Sequence, residues 1–330
     1  MRIGIMSFAH HHAEAYIRIL STIPDVELIG VSDDDHQRGR SIAQENVVPY
    51  FFYEDLLYSK PDGVIICSEN SKHRLMVEMA ADAKVNVLCE KPLATSVSDA
   101  RAVVTACERA GVLLMTAFPM RFSAPLLEVK ARIDEGDFGQ VYCFKATNQG
   151  ELPGKHREWF VDKELAGGGA LMDHTVHLVD IMRWYLNSEV HEVYAQTNQI
   201  FHADEVDVET GGLELITFQN GTFATIDASW SRPPYWPTWG GLTFEMVTER
   251  GAVVLDAFRQ NLTVYSHAWQ RANFIYWGSD SNQAMLNEFV TAIREDRSPA
   301  VTGWDGYRAV EVTIAAYESA ESGLPVRLEG

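Results

Sequence analysis

Residues 1–120 alternate short, unbroken apolar runs with helical patterns, and this alternation limits the fold more than any other feature. Short unbroken apolar runs predict strands buried on both faces, as in a parallel sheet covered by helices. Because crossover connections are right-handed, we predict a doubly wound, Rossmann-type α/β domain. The predicted strands are Ile3–Met6, Val26–Val31, Gly63–Ile66, Asn86–Leu88 and Val112–Met115, and the predicted helices are Ala13–Leu20, Gln37–Glu45, His73–Ala83 and Val97–Ala110.

The pattern changes after residue 120. Residues 190–267 alternate apolar and polar side chains, broken at Asn220-Gly221 and Gly240-Gly241, which predicts a hairpin-rich antiparallel sheet with one free face. We therefore predict two domains, residues 1–120 and an α+β domain of residues 121–330. The other predicted elements are a strand, Val141–Asn148, and four helices. One helix is long and ends at about Leu186, and the others are Pro125–Glu135, Asn282–Glu295 and Asp305–Ser322.

Charge and cysteine usage narrow the class of protein. The 330 residues include 27 Lys and Arg against 46 Asp and Glu, a net charge of −19, which disfavours nucleic acid and anionic membranes as partners. We expect no membrane span, because no apolar run reaches about 18 residues, and the first residues do not resemble a signal peptide. The cysteines are scattered without a C-x-x-C pair, which predicts reduced thiols in a cytoplasmic protein; they are Cys67, Cys89, Cys107 and Cys143.

The loop after the first predicted strand is where dinucleotide-binding proteins carry G-x-G-x-x-G. Here the corresponding positions are Ser7, Ala9 and His12, so the fingerprint is absent. The start of the following helix still predicts free N–H donors for a phosphate. Consecutive helical residues point in different directions, so we expect no metal at His10, His11 and His12, and one or two of them at the phosphate pocket.

Asp33 ends the second predicted strand, a little over ~20 residues after this loop. An acid there would accept hydrogen bonds from the adenosine ribose and repel a 2′-phosphate, which favours NAD over NADP. The alternative is that the run Asp33–Asp35 merely caps the next helix.

Lys91 follows a predicted strand, in the run Glu90-Lys91-Pro92. Ligands of open α/β sheets bind beyond the carboxyl ends of the strands, so this lysine is well placed to meet a substrate. A cis bond before Pro92 would aim it inward, and Glu90 would orient it or keep it charged. The alternative is an ordinary surface lysine in a loop.

Three glycines, Gly167–Gly169, precede a predicted helix, which suggests that something nearby needs the space. Asp173, His177 and Asp180 follow at i, i+4 and i+7, on one stripe of that helix. His177 could act as a general base, and Asp173 could orient it or bind a second hydroxyl. The alternative is a solvated polar face. The opposite stripe should face a core and contains Leu171, Leu178, Met182 and Tyr185.

These segments together resemble the glucose–fructose oxidoreductase / inositol dehydrogenase (Gfo/Idh/MocA) family. The resemblance rests on the order of elements, on C-E-K-P-L-A from Cys89 to Ala94, on Arg121-Phe122 and on G-G-G-x-L-x-D-x-x-x-H from Gly167 to His177. It implies an amino-terminal NAD(P)-binding Rossmann domain and a carboxy-terminal substrate domain. The open antiparallel sheet of the second domain would build a homodimer or homotetramer.

The resemblance also implies a reaction: reversible hydride transfer between NAD and a secondary alcohol of a sugar, cyclitol or related polyol, with Lys91, Asp173 and His177 as the catalytic set. Asn70 and His73 resemble the loop on the nicotinamide side. The alternatives are a sugar- or nucleotide-binding sensor without catalysis, and NAD-dependent glycoside cleavage through transient oxidation. The candidate cofactor-binding residues are Ser7, Phe8, Ala9, His11, His12, Asp33, Ser68, Asn70, His73, Glu90 and Lys91.

Aromatic residues also cluster with prolines between Trp230 and Trp239, around Tyr235 and Trp236. Such rings could pack against sugar faces, but they are equally common at interfaces, and we expect an interface or a pocket rim.

Overall fold

The computed structural model describes residues 1–155, 157–236, 238, 240–268, 270–276 and 278–329. The chain divides into two compact units. The first unit contains Met1–Pro119, Gly154–Gly167 and Asn282–Glu311, and the second contains Met120–Pro153, Gly168–Ser281 and Val312–Gly330.

The first unit is built on a six-stranded sheet whose strand pairs are all parallel. The strand order β3-β2-β1-β4-β5-β6 is that of a Rossmann domain, as predicted. Its elements are β1 Arg2–Met6, α1 His12–Leu20, β2 Glu27–Ser32, α2 His36–Asn46, β3 Tyr50–Phe51, α3 Tyr53–Tyr58, β4 Gly63–Ile66, α4 His73–Asp82, β5 Asn86–Cys89, α5 Val97–Ala110 and β6 Leu114–Thr116.

Local chemistry explains where these elements begin and end. The side chain of Ser96 accepts a hydrogen bond from the Asp99 N–H at the start of α5, and Gly111 ends the helix with φ 69°. β4 is buried along its whole length, as an unbroken apolar run in a parallel sheet requires. β3 and α3 were not predicted, because two and six residues are too short to show a periodicity.

The second unit contains a seven-stranded sheet and a separate two-stranded ribbon, β13-β14. The larger sheet has the order β12-β11-β7-β10-β9-β8-β15; its β7–β10 pair is parallel and its other pairs are antiparallel. The remaining elements of the chain are α6 Ala124–Asp134, β7 Val141–Gly150, α7 Lys163–Ala166 (in the first unit), α8 Ala170–Leu186, β8 Val190–Asn198, β9 Gly211–Phe218, β10 Phe223–Ser229, β11 Gly240–Thr248, β12 Gly251–Asp256, β13 Asn261–Ser266, β14 Arg271–Tyr276, α9 Ser281–Glu295, α10 Gly303–Ser322 and β15 Val326–Arg327.

Helix α8 packs against this sheet. The stripe predicted to face a core is buried throughout: Leu171, Leu178, Met182 and Tyr185. Asp180, on the opposite stripe, is also buried, and the Arg121 guanidinium donates to its two carboxylate oxygens at 2.7 and 2.6 Å. Asp180 therefore joins α8 to the turn before α6.

Sequence patterns predicted a break in the sheet at Gly240-Gly241, and this prediction is wrong. Both glycines lie in β11, paired with Gly150 and Gln149 of β7. A Cβ atom on Gly241 would lie 2.5 Å from the Arg232 guanidinium, so the missing side chain permits a close approach within a strand.

Candidate active site

The predicted residues of the first unit gather at the carboxyl edge of the parallel sheet. Ser7, Asp33, Ser68 and Glu90 follow β1, β2, β4 and β5, and all four are buried. Lys91 is 7% exposed, so it is not an ordinary surface lysine. This is the edge at which open α/β sheets bind ligands.

The backbone N–H groups of the loop after β1 donate hydrogen bonds to other atoms of the protein. Ser7 has φ 69°, a conformation that favours glycine. The Phe8 N–H donates to Asp33 Oδ2 at 2.8 Å, the Ala9 N–H to Ser7 Oγ at 3.2 Å and the His10 N–H to the Cys67 carbonyl at 2.8 Å. These three N–H groups of the loop, which precedes the helix start where free donors were predicted, are therefore taken up by internal bonds, and the loop turns without glycines.

A distant segment of the same unit covers this loop. Arg157 Nε and Trp159 Nε1 both donate to the Ala9 carbonyl oxygen, at 3.1 and 3.0 Å. Arg157 also donates to Glu14 at 2.6 Å, and its side chain stays 29% exposed. Arg157 could not be predicted from the sequence, because nothing local marks a contact 148 residues away.

Two of the three consecutive histidines converge, contrary to the expectation that they would diverge. His10 lies in the turn before α1, and potential ligand atoms of His10, His12 and Glu90 lie within 4.8 Å of one another. His10 Nδ1 accepts a hydrogen bond from the His12 N–H, so the proton of the neutral ring sits on Nε2. That buried Nε2 has no partner in the described part of the chain. As a donor, it suits an oxygen acceptor better than a cation.

Glu90 is held as a carboxylate. Tyr16 donates to Glu90 Oε1 at 2.6 Å, and His12 Nδ1 lies 3.0 Å from the same oxygen. Burial alone would raise the pKa of Glu90, but the imidazoles of His10 and His12 and the bonds from His12 and Tyr16 hold it well below its usual range. Burial also lowers the pKa of His10 well below its usual range.

Asp33 links the first two strands rather than capping a helix. The cap of α2 is Asp35, whose carboxylate accepts from the Gln37 and Arg38 N–H groups. The alternative interpretation, that the run Asp33–Asp35 caps the next helix, therefore holds for Asp35 and not for Asp33. The Asp33 carboxylate instead binds the Phe8 N–H and the Arg38 guanidinium.

The loop after β4 reaches the other side of this edge. Asn70 Nδ2 donates to the Ala166 carbonyl at 2.8 Å, and its buried Oδ1 has no partner among the described residues. Burial lowers the pKa of His73, and its Nδ1 bonds to the Pro92 carbonyl at 2.9 Å. The Lys91–Pro92 peptide is cis.

In the second unit, Asp173 and His177 lie one turn apart on α8, both half-buried. The glycines before this helix do need space, but the protein's own atoms fill it. A Cβ on Gly168 would lie 2.0 Å from the Tyr317 hydroxyl, and one on Gly169 would lie 2.0 Å from the Glu209 carbonyl. The run therefore permits close packing, and by itself does not indicate a ligand.

Two residues that sequence analysis did not connect with Asp173 contact its carboxylate. His174 Nε2 lies 3.0 Å from Asp173 Oδ2, and Trp230 Nε1 donates to the same oxygen at 3.1 Å. Trp230 is fully buried, so it is not part of an exposed rim, whereas Tyr235 is 87% exposed. Pro237 and Trp239, from the same predicted cluster, lie outside the described residues.

Two further expectations concern the chain as a whole. The four cysteines are free, as predicted. None of the helices in the described ranges is long and apolar enough to cross a membrane.

Comparison with known proteins gives full-length matches. Myo-inositol 2-dehydrogenase of Thermotoga maritima is 27% identical over 348 residues, covering 100% of this chain and 99% of that protein. D-xylose 1-dehydrogenase (NADP(+)) 2 of Haloferax volcanii is 29% identical over 323 residues, covering 96% and 98%. The crystal structure of GenD2 from gentamicin A biosynthesis, in complex with NAD, has a TM-score of 0.89 at 24% identity, covering 100% and 97%, and supports the fold.

Family profiles match both halves of the chain. Residues 2–118 match the oxidoreductase family with an NAD-binding Rossmann fold, and residues 126–254 match the GFO/IDH/MocA C-terminal domain. The chain therefore belongs to the GFO/IDH/MocA oxidoreductase family.

Proposed function

We propose that this protein is a nicotinamide-dependent dehydrogenase that oxidises a secondary alcohol of a sugar, cyclitol or related polyol. The observation that carries the proposal is the buried Lys91 at the carboxyl end of β5, in a chain that also presents Asp173 and His177 one turn apart on α8. Relatives named as myo-inositol and D-xylose dehydrogenases support the substrate class.

Each residue of the proposed catalytic set has a chemical role. His177 accepts the proton of the substrate hydroxyl as general base. The Lys91 ammonium stabilises the negative charge that develops on that oxygen. Asp173 accepts a hydrogen bond from a second hydroxyl, which orients a polyhydroxy substrate. NAD, when bound, supplies the hydride acceptor.

Buried polar atoms of the first unit fit a dinucleotide. His10 Nε2 and Asn70 Oδ1, which have no hydrogen-bond partner among the described residues, offer a donor and an acceptor at the carboxyl edge of the sheet. His12 and Arg157, both partly exposed, supply side-chain donors where the loop has used its backbone donors. We propose that His10 and Arg157 join the predicted cofactor-binding set, which already contains His12 and Asn70.

We propose NAD rather than NADP as the preferred cofactor. Asp33 places a carboxylate at the end of β2, where it would repel a 2′-phosphate. The same carboxylate binds Arg38, the nearby cation that could otherwise attract such a phosphate. NAD reduction in the presence of a panel of inositols, aldoses and polyols tests the activity, with NADP run in parallel. Turnover of at least one member with NAD is expected, and no turnover with any member would contradict the proposal.

We also propose that the protein assembles as a homodimer or homotetramer through the sheet of its second unit. The face of the sheet opposite α8 exposes apolar side chains that a partner would cover: Leu213, Leu215, Phe223, Val247 and Val254. Exposed apolar patches of this kind mark interaction surfaces, and a second copy of the chain offers the same apolar surface.

A further inference from the structure

Helix α8 has no capping side chain of its own. Its N-cap residue is Gly169, whereas α2, α5 and α7 each follow a residue whose side chain accepts hydrogen bonds from the first turn. The first four N–H groups of a helix have no partner within it, so those of α8 need acceptors from elsewhere. The first turn of α8 includes Asp173, so the way in which this turn is held affects the proposed site.

The acceptors come from two residues that are distant in sequence, Glu209 and Tyr317. The carboxylate and carbonyl of Glu209 accept from three of the four N–H groups, at 3.0 to 3.1 Å: those of Gly169, Ala170 and Leu171. The Tyr317 hydroxyl accepts the fourth, from Met172 at 3.2 Å, shares that of Gly169, and donates to Glu209 Oε1 at 2.7 Å. Each of the four N–H groups is therefore bonded within the second unit.

The segment that contains Glu209 also reaches the Asp173 side chain. Thr210 follows Glu209, and its carbonyl accepts from the Trp230 backbone N–H at 2.8 Å. The Trp230 indole N–H in turn donates to Asp173 Oδ2 at 3.1 Å. The segment therefore fixes Asp173 twice, through the backbone of its helical turn and through its carboxylate. A cap from a neighbouring residue would hold the turn but would not tie it to this second segment.

We propose that Glu209, supported by Tyr317, is a positioning residue that holds Asp173 where its carboxylate can accept a hydrogen bond from a substrate hydroxyl. The positioning role rests on the proposed function, whereas the capping of α8 does not. A displacement of about 1 Å in a residue that orients a substrate can lower the rate by about a hundredfold. Loosening the cap should therefore slow the reaction, although neither capping residue needs to contact the substrate.

Hydrogen exchange of the full-length protein, followed by mass spectrometry, tests the cap. Tyr317→Phe removes the hydroxyl that Met172 donates to, so exchange in residues 169–172 should become about tenfold faster or more. Tyr185→Phe removes a buried hydroxyl that bonds to Leu126 from the other end of α8, and exchange in residues 169–172 should stay as in the wild type. If Tyr317→Phe does not fold, Glu209→Gln must speed exchange in the same segment. Unchanged exchange there would overturn the proposal.

Kinetics on any sugar or cyclitol that the wild type oxidises test the positioning role. Tyr317→Phe should lower kcat/KM by about tenfold or more. NADH affinity, measured by fluorescence, should not change, because Glu209 and Tyr317 both lie outside the first unit. Glu209→Gln keeps an oxygen that can accept, so it should retain more activity than Glu209→Ala.

Tyr185→Phe is the matched control, because it also loses one tyrosine hydroxyl bonded within the second unit. Its midpoint of urea unfolding should fall about as far as that of Tyr317→Phe, but its kcat/KM should stay at the wild-type value. Equal kcat/KM in the two variants would overturn the positioning role. A wild type inactive on every substrate would overturn the proposed function and this role with it, while hydrogen exchange would still decide on the cap.

Discussion

Arg38 donates to both carboxylate oxygens of Asp33, from Nε to Oδ2 at 2.8 Å and from Nη2 to Oδ1 at 2.7 Å. The Phe8 N–H adds a third bond, so the carboxylate that ends β2 also fixes the loop after β1. One side chain thus sets both the charge at the ribose end of the proposed cofactor site and the position of the nearest arginine.

Replacing Asp33 should therefore change the choice of cofactor. In Asp33→Ser the carboxylate is lost and Arg38 is released, so affinity for NADPH relative to NADH should rise by about tenfold or more, about 1.4 kcal/mol. Fluorescence titration with the two reduced cofactors measures the ratio. Asp82→Ser, at an exposed position in the same unit, is the control. An unchanged ratio in Asp33→Ser would contradict the assignment of Asp33.

Glu214 should make stability depend on pH. It is fully buried on β9, accepts a hydrogen bond from Thr175, and burial raises its pKa to about 7 from an ordinary value of 4.5. A folded-state pKa above the unfolded value means that the folded state binds the proton more tightly. This contribution to stability is complete below about pH 4.5 and is lost as the pH rises toward 7, on the order of 3 kcal/mol in all.

Glu214→Gln should remove the loss of stability that accompanies a rise in pH. Urea unfolding at pH 5 and pH 8 measures the free energy of unfolding, and the fall between the two should be smaller in the variant than in the wild type. Glu245→Gln, at an exposed position on β11, should keep the wild-type fall. Equal falls in all three proteins would show that Glu214 does not titrate in this range.

Replacing only one partner of the buried pair of Arg121 and Asp180 should strongly lower the free energy of unfolding. Asp180→Asn leaves the guanidinium without its counter-charge and should cost about 3–5 kcal/mol of unfolding free energy. Replacing both residues, as Arg121→Met with Asp180→Leu, should recover most of this loss, because no buried charge remains. Urea unfolding of Arg121→Met, Asp180→Leu and the double variant measures the coupling, and additive losses would contradict it.

Charges on the free sheet face should disrupt assembly. Leu215→Lys and Val254→Lys place cations on two apolar positions of that face, at 45% and 77% exposure. Sedimentation equilibrium should show a dimer or tetramer in the wild type and a shift toward monomer in the double variant. Leu75→Lys, an exposed position on α4, is the control. A monomeric wild type would contradict the proposed assembly.

The sequence predicted those parts of the molecule that depend on local patterns. Buried parallel strands such as β4 and β5 appear as unbroken apolar runs, and Glu90-Lys91 follows one of them directly. The first sheet and its ligand-binding edge could therefore be derived from the pattern alone.

Contacts between distant segments could not be predicted in this way. Arg157 reaches Ala9 across 148 positions, and Trp230 reaches Asp173 across 57. Neither contact leaves a periodicity or a motif. The Gly240-Gly241 pair shows the same limit, because a glycine needed for close approach looks like a glycine in a turn until its neighbour is known.

The central claim is that Lys91 takes part in oxidation of a polyhydroxy substrate. The direct measurement is NADH formation over a panel of inositols, aldoses and polyols, by the wild type, Lys91→Met and Lys84→Met. Lys84 is an exposed lysine of the same unit and serves as the matched control. The account predicts that Lys84→Met turns over like the wild type and that Lys91→Met loses at least about a hundredfold in kcat, with NADH still bound. Equal turnover by all three proteins would contradict it.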